Sequence, residues 1–171
     1  MTSAERIGTT LSHQEPDRVP FMLPTILQGA RELELSIEAY FSSAEHVVEG
    51  QLRLQEKLGH DALFGFMYAA QEIEAWGGET VFIDSGPPNA GEPPLERAQL
   101  DDLQPPDLEA SPALQRVLRI TEGLRARVGD DVPILGVAIS PLSLPVLQLR
   151  TRPCWPRSTR TGSTSAPTAF T

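Results

Sequence analysis

Cysteine occurs once in the 171 residues, at position 154, so no internal disulfide framework can form. Three histidines beside that one thiol are a thin supply of soft metal ligands, and no metal site is expected. No glycine-rich phosphate loop, Ser-His-Asp order or basic aromatic patch occurs, so nothing supports nucleotide cradling, triad hydrolysis or nucleic-acid binding. Nor is there an uninterrupted apolar run long enough for a membrane. The longest uncharged stretch, Val132–Leu149, is broken by Pro133, Pro141 and Pro145. Met1–Leu11 has no apolar core of signal-peptide length, so a cytoplasmic protein without a membrane partner is expected. The length suits one domain with a real core but falls short of a complete eight-fold α/β barrel, which takes about 250 residues.

What is present is strongly acidic, with 14 Lys+Arg against 23 Asp+Glu and a net charge of −9. That sign repels phosphate backbones and anionic lipid, which excludes nucleic acid as a partner on a second ground. The charge is split by a seam. Every acid precedes Arg150, so residues 1–149 hold ten bases and carry −13. Residues 150–171 carry four arginines, no acid, and no Leu, Ile, Val or Met, while Thr, Ser, Pro and Arg make up 16 of the 22. This composition cannot bury a helix or strand face and predicts a disordered C-terminal tail. It also matches an out-of-frame reading of a GC-rich gene, so a frameshift near codon 150 is expected to have produced it. The alternative is a natural tail.

Before the seam, apolar runs alternate with amphipathic ones. Thr2-x-x-Glu5 has the form of a capping box, opening a short helix to His13 with Ile7 and Leu11 inward. Val19–Leu23 is a short apolar run between prolines, predicting a buried strand. A helix is expected over Leu33–Phe41 and a clearer one over Ser43–Leu58, capped by Ser43 and stopped by Gly59. Asp61–Met67 predicts a second buried strand, Gln71–Trp76 a short helical piece, and Thr80–Ile83 a small strand. Ser85–Pro106 is a Pro-rich acidic excursion. Ser111-Pro112 opens a helix to about Val128, and Val132–Ile139 predicts a third buried strand followed by a loop. Buried strands alternating with helices imply parallel βαβ units, hence an α/β fold.

Six strings along residues 3–149 carry a family likeness: Ser3-Ala4-Glu5-Arg6, Glu15-Pro16-Asp17-Arg18-Val19-Pro20, Leu58-Gly59-His60-Asp61-Ala62, Glu72-Ile73-Glu74-Ala75-Trp76-Gly77, Pro133-Ile134-Leu135-Gly136 and Ser140-Pro141-Leu142-Ser143-Leu144. In this order they resemble the N-terminal part of the uroporphyrinogen decarboxylase superfamily, which includes cobamide-dependent methyltransferases. The resemblance implies a TIM-type (β/α)8 barrel, of which residues 1–149 would form about the first three βα units. It implies a tetrapyrrole or corrinoid-linked substrate at the barrel mouth of intact relatives. Decarboxylases carry Arg-Gln-Ala-Gly-Arg after the first strand to grip substrate carboxylates. Leu27-Gln28-Gly29-Ala30-Arg31 stands there, so the first arginine is lost and Arg31 is retained. Arg31 either clamps an anion through its planar fork or pairs with Glu32 or Glu34. The decarboxylase Asp after the second strand is replaced by Tyr68, and a phenol with a pKa of about 10 supplies no anion at neutral pH. That departure points toward the methyltransferase-type branch or an uncharacterised one. The thiol-activating zinc of the methyltransferases would come from the second half of the barrel, and corrinoid is the cofactor implied for intact relatives, with none expected on this chain.

Glu72 and Glu74, two apart, would share a face in an extended segment and could be paired carboxylates at the mouth. The blander reading, one partnered and the other solvated, is favoured. Ser140 follows the third strand, where barrel active sites are built from βα loops. His13 and His60 are read as helix-end or surface residues. The candidate substrate-binding residues are therefore Arg31, Tyr68, Glu72, Glu74 and Ser140. The expectation is a truncated, inactive barrel enzyme whose open sheet edges favour oligomers or aggregates. The alternative is a small α/β binding module that needs a partner to complete its sheet.

Overall fold

The computed structural model describes residues 1–24, 27–65, 68–84, 86–96, 99 and 102–149. The 150–171 tail, with Cys154, lies outside them, as do Phe66 and Met67 at the end of the expected second strand. No helix among the described residues is long and apolar enough to cross a membrane.

Helix α1 (Ser3–Leu11) starts on the expected capping box: the Thr2 hydroxyl accepts from Glu5 N and the Glu5 carboxylate accepts from Thr2 N. Its inward residue is not Leu11, which is 76% exposed, but Arg6, which is buried. The helix is drawn to its neighbours by a guanidinium rather than by an apolar stripe.

The strand expected over Val19–Leu23 does not form. The segment is extended and unpaired, and Val19, Phe21 and Met22 are exposed. It is tied down at Phe21, whose C=O accepts from Asp61 N (2.6 Å) and whose N–H donates to Asp61 Oδ2 (2.8 Å). Two features oppose ladder formation. Pro20 and Pro24 each lack an N–H. The free edge of the next strand is also occupied, by a side chain.

That strand, β1 (Leu63–Phe64), runs parallel to β4 (Ile134–Leu135), with Leu63 opposite Ile134 and Phe64 opposite Leu135. Leu63 N and Gly65 N donate to Pro133 O and Leu135 O, both at 2.9 Å. Phe64, of opposite parity, faces the other edge. There the buried Gln51 amide takes both of its backbone groups, Nε2 donating to Phe64 O (2.7 Å) and Phe64 N donating to Oε1 (2.9 Å). A glutamine thus stands where a neighbouring strand would.

Between Pro24 and β1 lie three helices. The first, α2 (Gln28–Glu32), was not anticipated. The helix expected over Leu33–Phe41 forms only as α3 (Ile37–Ser42), because Glu34 sits at φ 55 and Ser36 caps a new start. Helix α4 (Ala44–Leu58) keeps its predicted ends, with Ser43 Oγ accepting from His46 N and Gly59 in the left-handed conformation at φ 65. Tyr40 is wedged where α2 and α4 cross at Gly29 and Gly50, its ring reaching both glycines. The core gathers Tyr40, Phe41, Val47, Leu63, Tyr68, Ile120 and Leu124.

After β1 come α5 (Gln71–Ala75) and an antiparallel pair, β2 (Thr80–Val81) with β3 (Asn89–Ala90). Part of the acidic excursion is therefore a hairpin. Helix α6 (Pro112–Val128) opens on Ser111, carries Pro112 in its first turn, and ends at Gly129 with φ 57. Among the described residues the expected third strand shortens to β4, and the stretch read as a loop contains α7 (Ser143–Gln148). Pro145 falls in the first turn of α7, where its missing N–H would be unpaired in any case. The chain is an α/β fold whose described parallel sheet is one pair joined through α5, the hairpin and α6.

Candidate functional site

Three neighbourhoods hold the sequence-predicted residues. The first lies between α5, β2 and α6. Tyr68, 3% exposed, stacks edge-on to Phe41 and Phe82, with ring centroids 5.1 and 5.9 Å away. Its hydroxyl donates to Glu74 Oε1 at 2.6 Å, and the Thr80 hydroxyl donates to the same oxygen at 2.5 Å. Arg116 approaches from α6, its Nη1 donating to the Tyr68 hydroxyl at 3.4 Å and standing 3.9 Å from Glu74 Oε2. Burial, and then the Glu74 carboxylate, push the Tyr68 phenol above its ordinary range, so it stays protonated at neutral pH. Arg116 and Thr80 were not foreseen. A signal existed for Arg116, which lies three residues after Ala113 and four before Ile120, both buried on one face of α6.

Glu72 does not join Glu74. Both sit on α5, a helix rather than an extended segment, so residues two apart point different ways. Glu72 Oε1 accepts from Ile139 N at 2.8 Å, holding the backbone that leads to Ser140. Ser140 is exposed, and its Oγ and C=O accept from the amides that start α7, Leu142 N for the hydroxyl and Ser143 N and Leu144 N for the carbonyl. Both carboxylates are thus partnered and half-buried, where one partnered and one solvated was the favoured expectation.

Arg31 occupies a third place, in the last turn of α2 on the rim of a cleft of about 200 Å³. It is exposed, and its side chain has no ion pair or hydrogen bond among the described residues. Glu32, one of its expected partners, pairs instead with Lys57 Nζ at 2.7 Å. Asp84 also lines the cleft, two residues after the Phe82 that packs on Tyr68.

A fourth cluster was not foreseen, although its side chains lie in the family-like strings. Asp61, fully buried, accepts from Ser3 Oγ, Arg6 Nη1, both Nη atoms of Arg18 and Phe21 N, at 2.6–2.9 Å. Arg6 also holds Asp17 with Nε and Nη2 at 2.6 and 2.8 Å. Burial works to raise the Asp61 pKa. The Phe21 amide, Arg18, Ser3 and Arg6 outweigh it and hold the carboxyl at about 2. His60 is not a surface residue. It is buried beside this hub, and its burial lowers its pKa. Among the described residues no three His, Cys, Asp or Glu side chains come together as a metal-holding group.

Arg6, Asp17, Arg18 and Asp61, which come from the first three strings and are distant in sequence, meet in this one hub. The family model described as uroporphyrinogen decarboxylase (URO-D) matches residues 2–150. This chain belongs to the uroporphyrinogen decarboxylase family. Among solved structures, a methyltransferase from Methanosarcina mazei has a similar fold, with a TM-score of 0.75 and 21% sequence identity. The match covers 88% of this URO-D chain and 46% of the methyltransferase, so the chain spans about half of that relative's length. No curated protein matches the chain. The expected family membership is borne out, and the α/β reading with it.

Proposed function

We propose that this chain is the N-terminal, substrate-binding part of a URO-D-family barrel of the methyl-transferring kind, and that it is inactive alone. In the complete barrel its substrate would be corrinoid-linked, with methyl transfer to a thiol as the reaction. The observation that carries this is the Tyr68 hydroxyl bonded to Glu74 at 2.6 Å. Decarboxylation of a tetrapyrrole builds positive charge on a pyrrole ring, and an anion must face it. A buried neutral phenol offers a hydrogen bond and no charge. Glu74 lies behind it, with one oxygen already engaged by two hydroxyls. Arg31, exposed and unpaired among the described residues, would bind an anionic group of the substrate. Glu72 would hold the loop carrying Ser140 through the Ile139 amide.

The test joins residues 1–149 to the reading frame that continues strand–helix units downstream of codon 149. The restored protein is expected to demethylate methylcobalamin with a thiol acceptor, and to release no CO2 from uroporphyrinogen. Release of CO2 overturns the assignment, and so does the absence of any strand–helix continuation in either alternative frame.

A second reading, a binding module completed by a partner, is favoured by large apolar residues left open to solvent, Val19 at 82% exposed and Leu142 at 85%. Size-exclusion chromatography with cell extract separates the two: a stoichiometric complex with one protein supports the module.

A further inference from the structure

The Arg31 cleft carries more than an anion-binding guanidinium. It lies between α2, the start of α3 and the turn after β2, with a volume of about 200 Å³. That is below the roughly 300–1,000 Å³ of sites for drug-sized ligands and suits a small ligand or one end of a larger one. Its floor is apolar, with Leu27, Leu35 and Ile37 half-buried and packed on the core. Its rim carries one charge of each sign from separate elements, Arg31 on α2 and Asp84 after β2. Both side chains are exposed, and neither forms an ion pair or hydrogen bond with the other or with any other described residue. Opposite charges on one cleft, not paired with each other and set beside apolar side chains, match a ligand with two charged ends and a short carbon chain.

We propose that this cleft binds a small zwitterion, its carboxylate on Arg31, its ammonium on Asp84 and its chain along Leu27, Leu35 and Ile37. The proposal rests on reading Arg31 as an anion-holding residue, and adds a size limit and a cation partner. The guanidinium fork takes a carboxylate bidentately. Each contact alone is weak at a solvated rim. Once one end is bound, the other meets its partner at a high effective concentration, so the two together exceed either. Tetrapyrrole carboxylates offer Asp84 nothing.

Calorimetric titration of the full chain at low ionic strength tests this, with glycine, 4-aminobutyrate and 5-aminopentanoate as probes and butyrate and butylammonium as one-ended controls. At least one zwitterion is expected to bind about tenfold more tightly than both controls. R31Q and D84N should each reduce it to control affinity. Neither side chain contacts the rest of the described fold through a polar bond, so unchanged circular dichroism should accompany both. If butyrate binds as tightly as the zwitterions, depends on Arg31 and ignores D84N, the zwitterion proposal falls and the anion reading of Arg31 stands. If no probe binds at millimolar concentration, or R31Q changes nothing, both fall.

Discussion

Arg6 Nη1 and Asp61 Oδ1 meet at 2.6 Å across 55 residues of sequence, and the rest of the N-terminal region is arranged around that contact. Asp61 also binds Ser3, Arg18 and the Phe21 amide, so one carboxylate holds α1, the turn at Asp17-Arg18 and the extended segment after it. Replacing Asp61 by Ala leaves the buried Arg6 with Asp17 as its one carboxylate partner and strips Ser3, Arg18 and the Phe21 amide of the acceptor they share, and losing one partner of a buried charge network in this way costs about 3 kcal/mol. Urea unfolding should show that loss, with Asp61→Asn intermediate.

The same hub sets an acid limit. Asp61 is held at about 2, below the roughly 3.9 of a free aspartate, so its ionised form is favoured in the folded state. The Arg6 guanidinium holds Asp17 well below the usual carboxylate range, which acts in the same direction. This stabilisation is complete above pH about 4 and disappears as pH falls through about 2. Unfolding free energy should drop across that window, and drop less in Asp61→Asn. Parallel curves for the two proteins would sink the assignment.

Glycines at two places should respond in opposite directions. A Cβ on Gly50 would lie 2.7 Å from Tyr40 Cε2 and 2.9 Å from the Gly29 Cα, inside a buried helix crossing. Gly50→Ala should cost about 1–3 kcal/mol through overpacking. Gly8, inside α1, has nothing within 4 Å of its added Cβ, and Gly8→Ala should stabilise by up to about 1 kcal/mol. Thermal melts of the two variants, expected to shift in opposite directions, check the pair together.

Local signals in the sequence placed the long helices well, because Thr2, Ser43, Gly59, Ser111 and Gly129 act within a few residues of themselves. The strands were less legible. Val19–Leu23 has the composition of a buried strand, yet pairing depends on what occupies the facing edge, and that edge of β1 is taken by Gln51, thirteen residues before the strand it serves. Nothing in the residues near Gln51 announces it. The candidate site was half legible for a related reason. Tyr68 and Glu74 could be named, but their joining to Arg116 needs α6 to fold back on α5, which only the tertiary structure supplies. Treating 72–74 as extended rather than helical is what made Glu72 and Glu74 look like a pair.

Gln51 offers a direct check on that edge. Its amide donates to and accepts from Phe64 at once, so Gln51→Glu keeps the acceptor and loses the donor, setting a carboxylate oxygen against a carbonyl. Leaving a buried carbonyl without a donor costs about 1–3 kcal/mol, and the added charge is also desolvated. Gln51→Glu should therefore be less stable than Gln51→Met, which fills the space without charge. It should recover partly at acid pH, when the new carboxyl becomes a donor. Wild-type stability in Gln51→Met, which loses both bonds, would show that Gln51 fills space and nothing more.

Tyr68 separates a structural role from a chemical one. Tyr68→Phe removes the bond to Glu74 while Thr80 and Arg116 continue to serve that carboxylate, so the loss should be about 1 kcal/mol. Tyr68→Asp does something different. It places a second carboxylate in a nearly dry site beside Glu74, and two such groups cannot both ionise cheaply, so their joint affinity for protons rises. The folded state then binds a proton more tightly than the unfolded chain, and stability increases as pH falls. Melting temperature of Tyr68→Asp should climb between pH 8 and pH 5, while Tyr68→Phe stays level over the same range. A level profile for Tyr68→Asp would mean that its carboxylate and Glu74 do not share the site, and the Tyr68–Glu74 contact could not then be the feature that separates this chain from a decarboxylase.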